Sequence, residues 1–248
     1  MYPRILNLGD AALTVEFGDR IDPALVARVA ALDRLCRDEI AAGRLAGVIE
    51  TVPTFRALAV IFDPLAVHRA TLVPRLAALA AAAQTAPEPV PRRWQLPVHY
   101  GGTHGPDLDA LARAAGMTAD ELAALHAGTE YRVYMLGFLP GFPFMGDLPA
   151  ALRQPRRSEP RVAVPAGSVA VANGLTAIYP APSPGGWHLL GHCPVPLFDA
   201  TRPEPALLRA GDRVRFMAVG ADTAAALAAD FAAGRRTPDE CLAGGATP

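Results

Sequence analysis

The sequence predicts an α+β chain: a two-layer α/β unit at the N-terminal side, followed by a β-barrel or β-sandwich. Three observations carry this. Up to residue 85, hairpin-like apolar runs and helical periodicity alternate in a ββαββα order. Residues 85–93, TAPEPVPRR, interrupt that order with closely spaced prolines, whose fixed φ favours an extended, semi-rigid connection. Beyond them helices become scarce, strands short, and Gly and Pro dense, the texture of a barrel or sandwich. The expected organisation is an α/β domain over 1–86, a Pro-rich linker over 87–93, a barrel domain over 94–222, and a closing helix and tail over 223–248.

In the first domain, RILNLGDAALTVEF is two alternating apolar runs about Gly9-Asp10, a β-hairpin signal. Asp22-Pro23 then supplies a helix cap followed by proline at the first helical position. Leu25, Val29, Leu32, Cys36 and Ile40 recur at helical spacing until Gly43, which makes Cys36 a core residue. The runs GVIETV (47–52) and ALAVIF (57–62) read as strands, and Leu72, Leu76 and Leu79 as a second helix.

In the second domain, WQLPVHYGG precedes two short helices, PDLDALARAAG and MTADELAALHAG, the latter opened by a capping box of Thr118 and Glu121. SVAVANGLTAIYP is a hairpin about Asn173-Gly174, the favoured type I′ pair, and sets Val169 opposite Ile178 and Val171 opposite Thr176. WHLLGH and DRVRFMAV add strands, and residues 222–231 form a closing helix with a loose tail after it.

Composition removes several function classes. No apolar run approaches the roughly 18–20 residues of a membrane span. The N-terminal MYPRILNLGDAALTVEF carries charge early and lacks a signal-peptide pattern, so a soluble cytoplasmic protein is expected. A formal net charge of −1 offers no electrostatic footprint for nucleic acid or an acidic membrane. Cys36, Cys193 and Cys241 are odd in number and widely spaced, unlike a disulfide framework or zinc ribbon. All 23 cationic side chains are Arg. The absence of Lys removes Schiff-base chemistry, a Lys-bearing phosphate loop and a biotin or lipoyl attachment point. Arg and backbone N–H groups are then what could handle a phosphate.

Residues 111–125, LARAAGMTADELAAL, have helix-turn-helix spacing, but the second helix opens Thr-Ala-Asp-Glu and carries no Arg, so it would repel phosphates. His188, His192 and Cys193 invite a metal reading. In a regular strand, however, the two His face one side and Cys193 the other, and no second ligand cluster accompanies them; no metal is expected. Cys193, followed by Pro194, lacks the setting of a reactive thiolate. Ser168, in VPAGSVA, is outside any Gly-x-Ser-x-Gly elbow and reads as a turn or pocket hydroxyl.

Two Gly/Pro-rich segments remain, GFLPGFPFMGDL (137–148) and PSPGGWHLLG (182–191). Their prolines fix the backbone while their glycines admit unusual dihedrals and close approach. The N–H groups of Gly185, Gly186 and Trp187 could converge into an anion-binding nest, with Trp187, Phe138, Phe142 and Phe144 as an apolar wall; tight barrel corners with core aromatics would give the same pattern. The candidate substrate-binding set comprises Gly137, Phe138, Pro140, Gly141 and Phe142 in the first segment and Ser183, Gly185, Gly186, Trp187 and His192 in and beside the second. Pro165, Gly167 and Ser168 join it from the turn between them. Arg157 and Arg161, in RRSEPR, are the candidate charge partners. No catalytic residue stands out.

The run from EYRVYMLGFLPGFPFMGDL through RVAVPAGSVAVANGLTAIYPAPSPGGWHLLGHCPVPLFD resembles the B-type subunits of 5-oxoprolinase, a family also known as allophanate hydrolase subunit 1, which includes the Kip inhibitor of a sporulation histidine kinase. YPRILNLGDAALTVEFGDRIDP, YGGTHGPDLDALARAAGM and LLRAGDRVRF extend the likeness over nearly the whole chain. The resemblance implies an N-terminal α/β domain joined to a cyclophilin-like β-barrel. It also implies a heteromeric 5-oxoprolinase complex. In it, such a chain works with a homologous barrel protein, the C-type subunit, and with a third, the A-type subunit. Together they open 5-oxo-L-proline to L-glutamate at the expense of ATP, with Mg2+. With no Lys in the chain, ATP is expected at a subunit junction or on the partners. Phosphorylation of the lactam oxygen would create a leaving group, and the site would hold a carboxylate and a developing oxyanion away from water. Other members imply two alternatives, inhibition of a histidine kinase and carboxyl transfer to urea-type amides. The family pattern has Arg-Thr where this chain has His192-Cys193, and Cys where it has His99, departures that bear on substrate rather than fold.

Overall fold

A computed structural model describes residues 3–85 and 90–243. These divide into two compact units on either side of the Val90–Pro91 bond. Among the described residues, no helix is long and apolar enough to cross a membrane.

The first unit runs β1 (Arg4–Asn7), β2 (Ala12–Glu16), α1 (Pro23–Ala41), β3 (Val48–Pro53), β4 (Ala57–Phe62) and α2 (Arg69–Ala82). Its antiparallel sheet has the order β1-β2-β4-β3. Gly9 takes φ +66° in the first hairpin. The Asp22 side chain accepts from Ala24 N–H at 2.8 Å, with Pro23 starting α1. Alternation along the strands turns Leu13, Val15, Leu58, Val60 and Phe62 toward Val29, Leu32 and Cys36 of α1 and Leu72, Leu76 and Ala80 of α2, which together form one core.

The second unit contains β5 (Arg93–Tyr100), α3 (Leu108–Ala114), α4 (Ala119–Gly128), β6 (Glu130–Leu136), β7 (Pro143–Gly146), β8 (Arg161–Val164), β9 (Ser168–Ala172), β10 (Leu175–Ile178), β11 (Ser183–Gly185), β12 (His188–His192), β13 (Arg213–Ala218) and α5 (Ala221–Ala232). Seven strands close into a barrel in the order β10-β7-β6-β13-β5-β12-β9, with β9 pairing back to β10. The long β13–β5 ladder is parallel and joins the two ends of the unit, Val214 opposite Trp94 and Phe216 opposite Leu96. β8 and β11 form a separate two-stranded ribbon. The Asn173-Gly174 turn has φ +50° and +76° and produces the expected register, Ile178 opposite Val169 and Thr176 opposite Val171. Of the expected linker, residues 87–89 lie outside the described residues, while Arg93 already belongs to β5. The closing helix starts at Ala221, and tail residues 244–248 lie outside the described residues.

α4 carries the capping box of Thr118 and Glu121 and packs against β13, so its apolar face serves the barrel rather than a groove. From it His126 enters the core, fully buried. Its Nε2 lies 2.9 Å from the Thr176 hydroxyl, which itself donates to Ala170 O at 3.1 Å, and its Nδ1 lies 2.7 Å from the Tyr100 hydroxyl. That arrangement fixes the neutral tautomer with hydrogen on Nε2. Burial pushes the His126 pKa down to about 3. At the far end of β13, the Asp212 carboxylate accepts from Arg92, from Trp94 Nε1 and from Arg209 N–H, and Arg92 lies over the Trp94 ring.

Candidate functional site

The loop from β6 to β7 folds tightly, with Gly137 N–H donating to Phe142 O and Phe142 N–H to Leu139 O. Within it Phe138 holds φ +69°, a conformation that is costly for a bulky side chain. Its ring is 64% exposed. Phe142, by contrast, is 1% exposed. Its ring makes edge contacts with Phe138 at 5.5 Å, Tyr179 at 5.0 Å and Trp187 at 6.0 Å, and leans on Phe144 at 4.9 Å. Such contacts favour aromatic clusters by about 0.5–1.5 kcal/mol per pair beyond burial.

These five aromatic residues line a cavity of about 300 Å³, whose remaining wall comes from Arg156, Arg157, Pro160, Pro184, Gly185 and Gly186. The two walls are tied together by Arg157 N–H donating to Gly186 O at 2.7 Å. Gly185 is required sterically, since a Cβ there would lie 2.3 Å from the Tyr179 hydroxyl. The N–H groups of Gly186 and Trp187 donate to no backbone carbonyl among the described residues. Both residues are buried and line the cavity, so two main-chain donors stand beside an aromatic floor.

The arginines divide by role. Arg157 donates to Asp107 Oδ1 at 3.0 Å and Arg161 to the same oxygen at 2.8 Å, while Leu189 N–H donates to Oδ2 at 2.7 Å. Burial pushes the Asp107 carboxyl up, but the hydrogen bonds from Arg161 and Leu189 and the charges of Arg161 and Arg157 outweigh it and hold the pKa below the usual carboxylate value. Arg156 has no acidic partner among the described residues. It lies near enough to Tyr179 to favour the phenolate, against the stronger effect of burial, which raises that hydroxyl's pKa.

The structure therefore gathers Phe138, Phe142, Arg157, Gly185, Gly186 and Trp187 from the expected set around one cavity. Arg161 stands behind it on Asp107 and on Trp187 O at 3.3 Å. Gly141, at φ +76°, backs onto Leu197 O and Phe198 rather than the cavity. Gly137 and Pro140 shape the same loop. Ser183 is buried in β11, its hydroxyl 3.3 Å from Pro184 O.

Pro165, Gly167, Ser168 and His192 form a different locality. Gly167 N–H donates to Tyr179 O, Cys193 N–H to Gly167 O and Ser168 N–H to Pro165 O. His192 pairs with His99 on one side and Ser168 on the other, a polar row across β5, β12 and β9, and the His104 ring lies 5.0 Å from it. Burial lowers the His192 pKa, helped by the neighbouring His104 and His99 and opposed by a bond to Ala166. A bulge between Leu189 and Gly191 sets His188 opposite Val171 but His192 opposite Ser168. These partners are three apart, so the two histidines face opposite sides, not one side as regular alternation predicts. Cys193 is 1% exposed and burial pushes its thiol up to about 12. Among the described residues no three His, Cys, Asp or Glu side chains converge on a point that a metal would occupy. Asp107, Arg156, Tyr179 and His104 went unnoticed in the sequence: each acquires its place through contacts dozens of residues away, and only Arg156, beside Arg157, had a local signal.

Comparison with known proteins adds to this geometry. The profile of the carboxyltransferase domain, subdomain C and D, matches residues 3–208. The chain is 36% identical to the 5-oxoprolinase B subunit of Bacillus subtilis (strain 168) over 231 residues, covering 87% of this chain and 92% of that one. It is 51% identical to the 5-oxoprolinase B subunit of Escherichia coli O157:H7 over 130 residues, covering 52% and 60% respectively. Among solved structures, TTHA0988 superposes with a TM-score of 0.72 at 38% identity over 84% of this chain and 40% of that one. The urea carboxylase of Kluyveromyces lactis superposes with a TM-score of 0.73 over 94% of this chain and 23% of that one, a likeness of fold at 19% identity. The chain thus spans about 60% of the Escherichia coli relative and less than half of either solved chain.

Proposed function

Because this chain belongs to the 5-oxoprolinase B-subunit family of carboxyltransferase subdomain C and D proteins, we propose that it is the barrel component of an ATP-dependent assembly that opens 5-oxo-L-proline to L-glutamate. On this reading the cavity around Phe142 and Trp187 is its share of the lactam site, completed by a homologous C-type subunit and an A-type subunit. The observation that carries the proposal is the pairing of an aromatic floor with the Gly186 and Trp187 N–H groups, which donate to no backbone carbonyl among the described residues. Five aromatic rings suit the apolar edge of a five-membered ring and keep water away from it. Main-chain donors fixed by Pro184 and Gly185 suit a carbonyl oxygen that gains negative charge as the amide is attacked, because they need no reorganisation when charge develops.

ATP with Mg2+ fits this cavity poorly. Its volume of about 300 Å³ suits a small ring, and two of the three arginines beside it are engaged by Asp107. ATP accordingly belongs on the partners or at their junction with this chain, which confines this chain's part to holding the lactam, screening it from water and stabilising its oxygen.

The test is ADP release with 5-oxoproline, measured for the purified chain and for the chain co-purified with its A-type and C-type partners. Turnover confined to the assembly is expected. Full turnover by the chain alone would overturn the shared site, and no turnover with all three would overturn the activity. In the latter case urea-dependent turnover beside a biotin carboxylase would favour the carboxyltransfer reading, for which the superposition on urea carboxylase is the supporting observation.

A further inference from the structure

Three arginines lie close together in the chain: Arg156 and Arg157 line the cavity, Arg161 stands behind it, and one carboxylate, Asp107, pairs with Arg157 and Arg161. Among the described residues Asp107 pairs with these two and not with Arg156. Its Oδ1 takes Arg157 and Arg161 and its Oδ2 takes Leu189 N–H. Arg157 is further fixed through Nε on Glu159 O at 3.3 Å and through its own N–H on Gly186 O. These two guanidinium groups are structural braces, their charge partly offset by the shared carboxylate. Arg156 is different: it is exposed, lines the cavity and has no acidic partner among the described residues. No lining residue is acidic.

We infer that Arg156 is the residue that makes this cavity specific for a lactam bearing a carboxylate, the guanidinium binding the carboxylate while the aromatic floor binds the ring. The inference rests on the lactam reading and goes beyond it, since that reading alone would accept a neutral lactam equally well. A planar guanidinium without a competing acid can form two parallel N–H···O bonds to a carboxylate. Although exposed, Arg156 stands at the rim of an aromatic surface, where a ligand seated on that surface would place its carboxylate within reach of the guanidinium. Arg157 and Arg161 are held away from this task by Asp107, so the choice among three nearby arginines is made by a residue about fifty positions earlier in the chain. The same geometry separates ring binding from charge recognition, which makes the two separately measurable.

The experiment is a calorimetric titration of the full chain and of its co-purified assembly with three probes: 5-oxoproline, 2-pyrrolidone (the same ring without a carboxylate) and proline (the carboxylate and ring without the lactam carbonyl). Wild-type protein is expected to bind 5-oxoproline roughly 10–100-fold more tightly than 2-pyrrolidone, the range for a charge-assisted bidentate contact. Arg156→Gln should abolish that preference while changing 2-pyrrolidone affinity less than about twofold, a shift well below a hydrogen bond's worth. Arg156→Lys should restore part of it. An undiminished preference in Arg156→Gln would overturn the inference and leave the cavity reading standing. Failure of the wild-type chain and of the assembly to bind either lactam would overturn the cavity reading and the inference with it. Trp187→Phe supplies the separate control for the floor: it should weaken both lactams together and leave their ratio unchanged. Arg156 is exposed, so its replacement is expected to leave the fold intact, as the unchanged 2-pyrrolidone affinity would register.

Discussion

Asp107 Oδ1 receives both Arg157, at 3.0 Å, and Arg161, at 2.8 Å, while its other oxygen holds Leu189 N–H at the start of β12. A single carboxylate thus ties the segment between the two Gly/Pro loops to the strand that follows Trp187. Asp107→Asn keeps the shape of the side chain but removes its charge, leaving two guanidinium groups beside a neutral amide. Loss of one partner from a largely buried ion-pair cluster costs about 2–4 kcal/mol. Urea unfolding followed by tryptophan fluorescence measures this, since Trp94 and Trp187, the two tryptophans of the chain, both belong to the barrel unit. Unaltered stability in Asp107→Asn would show that the cluster is not a brace.

The same carboxylate has a pH signature. Its folded pKa lies below the unfolded value near 3.9. Its contribution is therefore complete above about pH 4 and is lost as pH falls through the lower, folded value. Asp107→Asn should flatten the stability profile below about pH 4 and leave its slope above that unchanged.

His126 acts in a higher pH window. It is fully buried and neutral, with its pKa pushed down to about 3, while in the unfolded chain it titrates near 6.5. The folded state has the depressed pKa, so stability is complete above about pH 6.5 and falls below it by about 1.4 kcal/mol per pH unit until the folded value is reached. Replacement by Gln should lower stability at pH 7, because the bonds to Tyr100 and Thr176 are disturbed, yet make the decline between pH 6.5 and 4.5 shallower. His192, whose pKa is also lowered, contributes in the same direction in both proteins and cancels in the comparison. Parallel profiles for the two proteins would refute the assignment.

The parts of this structure that were legible in the sequence are those fixed by neighbours along the chain. The Asp22-Pro23 cap, the box of Thr118 and Glu121 and the Asn173-Gly174 turn each need only a few adjacent residues, and each set its element where expected. Barrel closure through the parallel β13–β5 ladder was not legible, because it joins segments about 120 residues apart that share no local signal. The aromatic and glycine content of the cavity was visible as two Gly/Pro-rich segments. Which arginine remained available was not, because that depends on where Asp107 lies in space. The bulge in β12 defeated the alternation rule for His188 and His192 through one extra residue, a feature that only the pairing with β9 reveals.

The cavity wall offers a contrast between adjacent glycines. A Cβ on Gly185 would meet the Tyr179 hydroxyl at 2.3 Å and its ring carbon at 3.0 Å, whereas one on Gly186 has only ordinary contacts at 3.7 Å or beyond. Neither residue has the positive φ that would penalise any side chain. Gly185→Ala should therefore displace Tyr179 and destabilise the barrel by about 1–3 kcal/mol, the usual cost of overpacking, while Gly186→Ala should stay within about 0.5 kcal/mol of wild type. Adding Tyr179→Phe to Gly185→Ala removes the nearest clashing atom and should recover part of the loss. Equal effects from the two glycine substitutions would mean that the Tyr179 ring moves freely.

Thiol chemistry separates a packing role from a nucleophilic one at Cys193. Burial pushes the thiols of Cys36 and Cys193 up to about 12 and that of the half-buried Cys241 to about 11. Since the thiolate is the reactive species, a disulfide reagent at pH 8 should leave Cys36 and Cys193 untouched in the native protein and modify Cys241 slowly. All three should react at once in denaturant. Cys193→Ala should leave turnover of the assembly near the wild-type value and lower barrel stability, because Cys193 packs in the main barrel core; a collapse of turnover with stability retained would instead identify Cys193 as part of the chemistry.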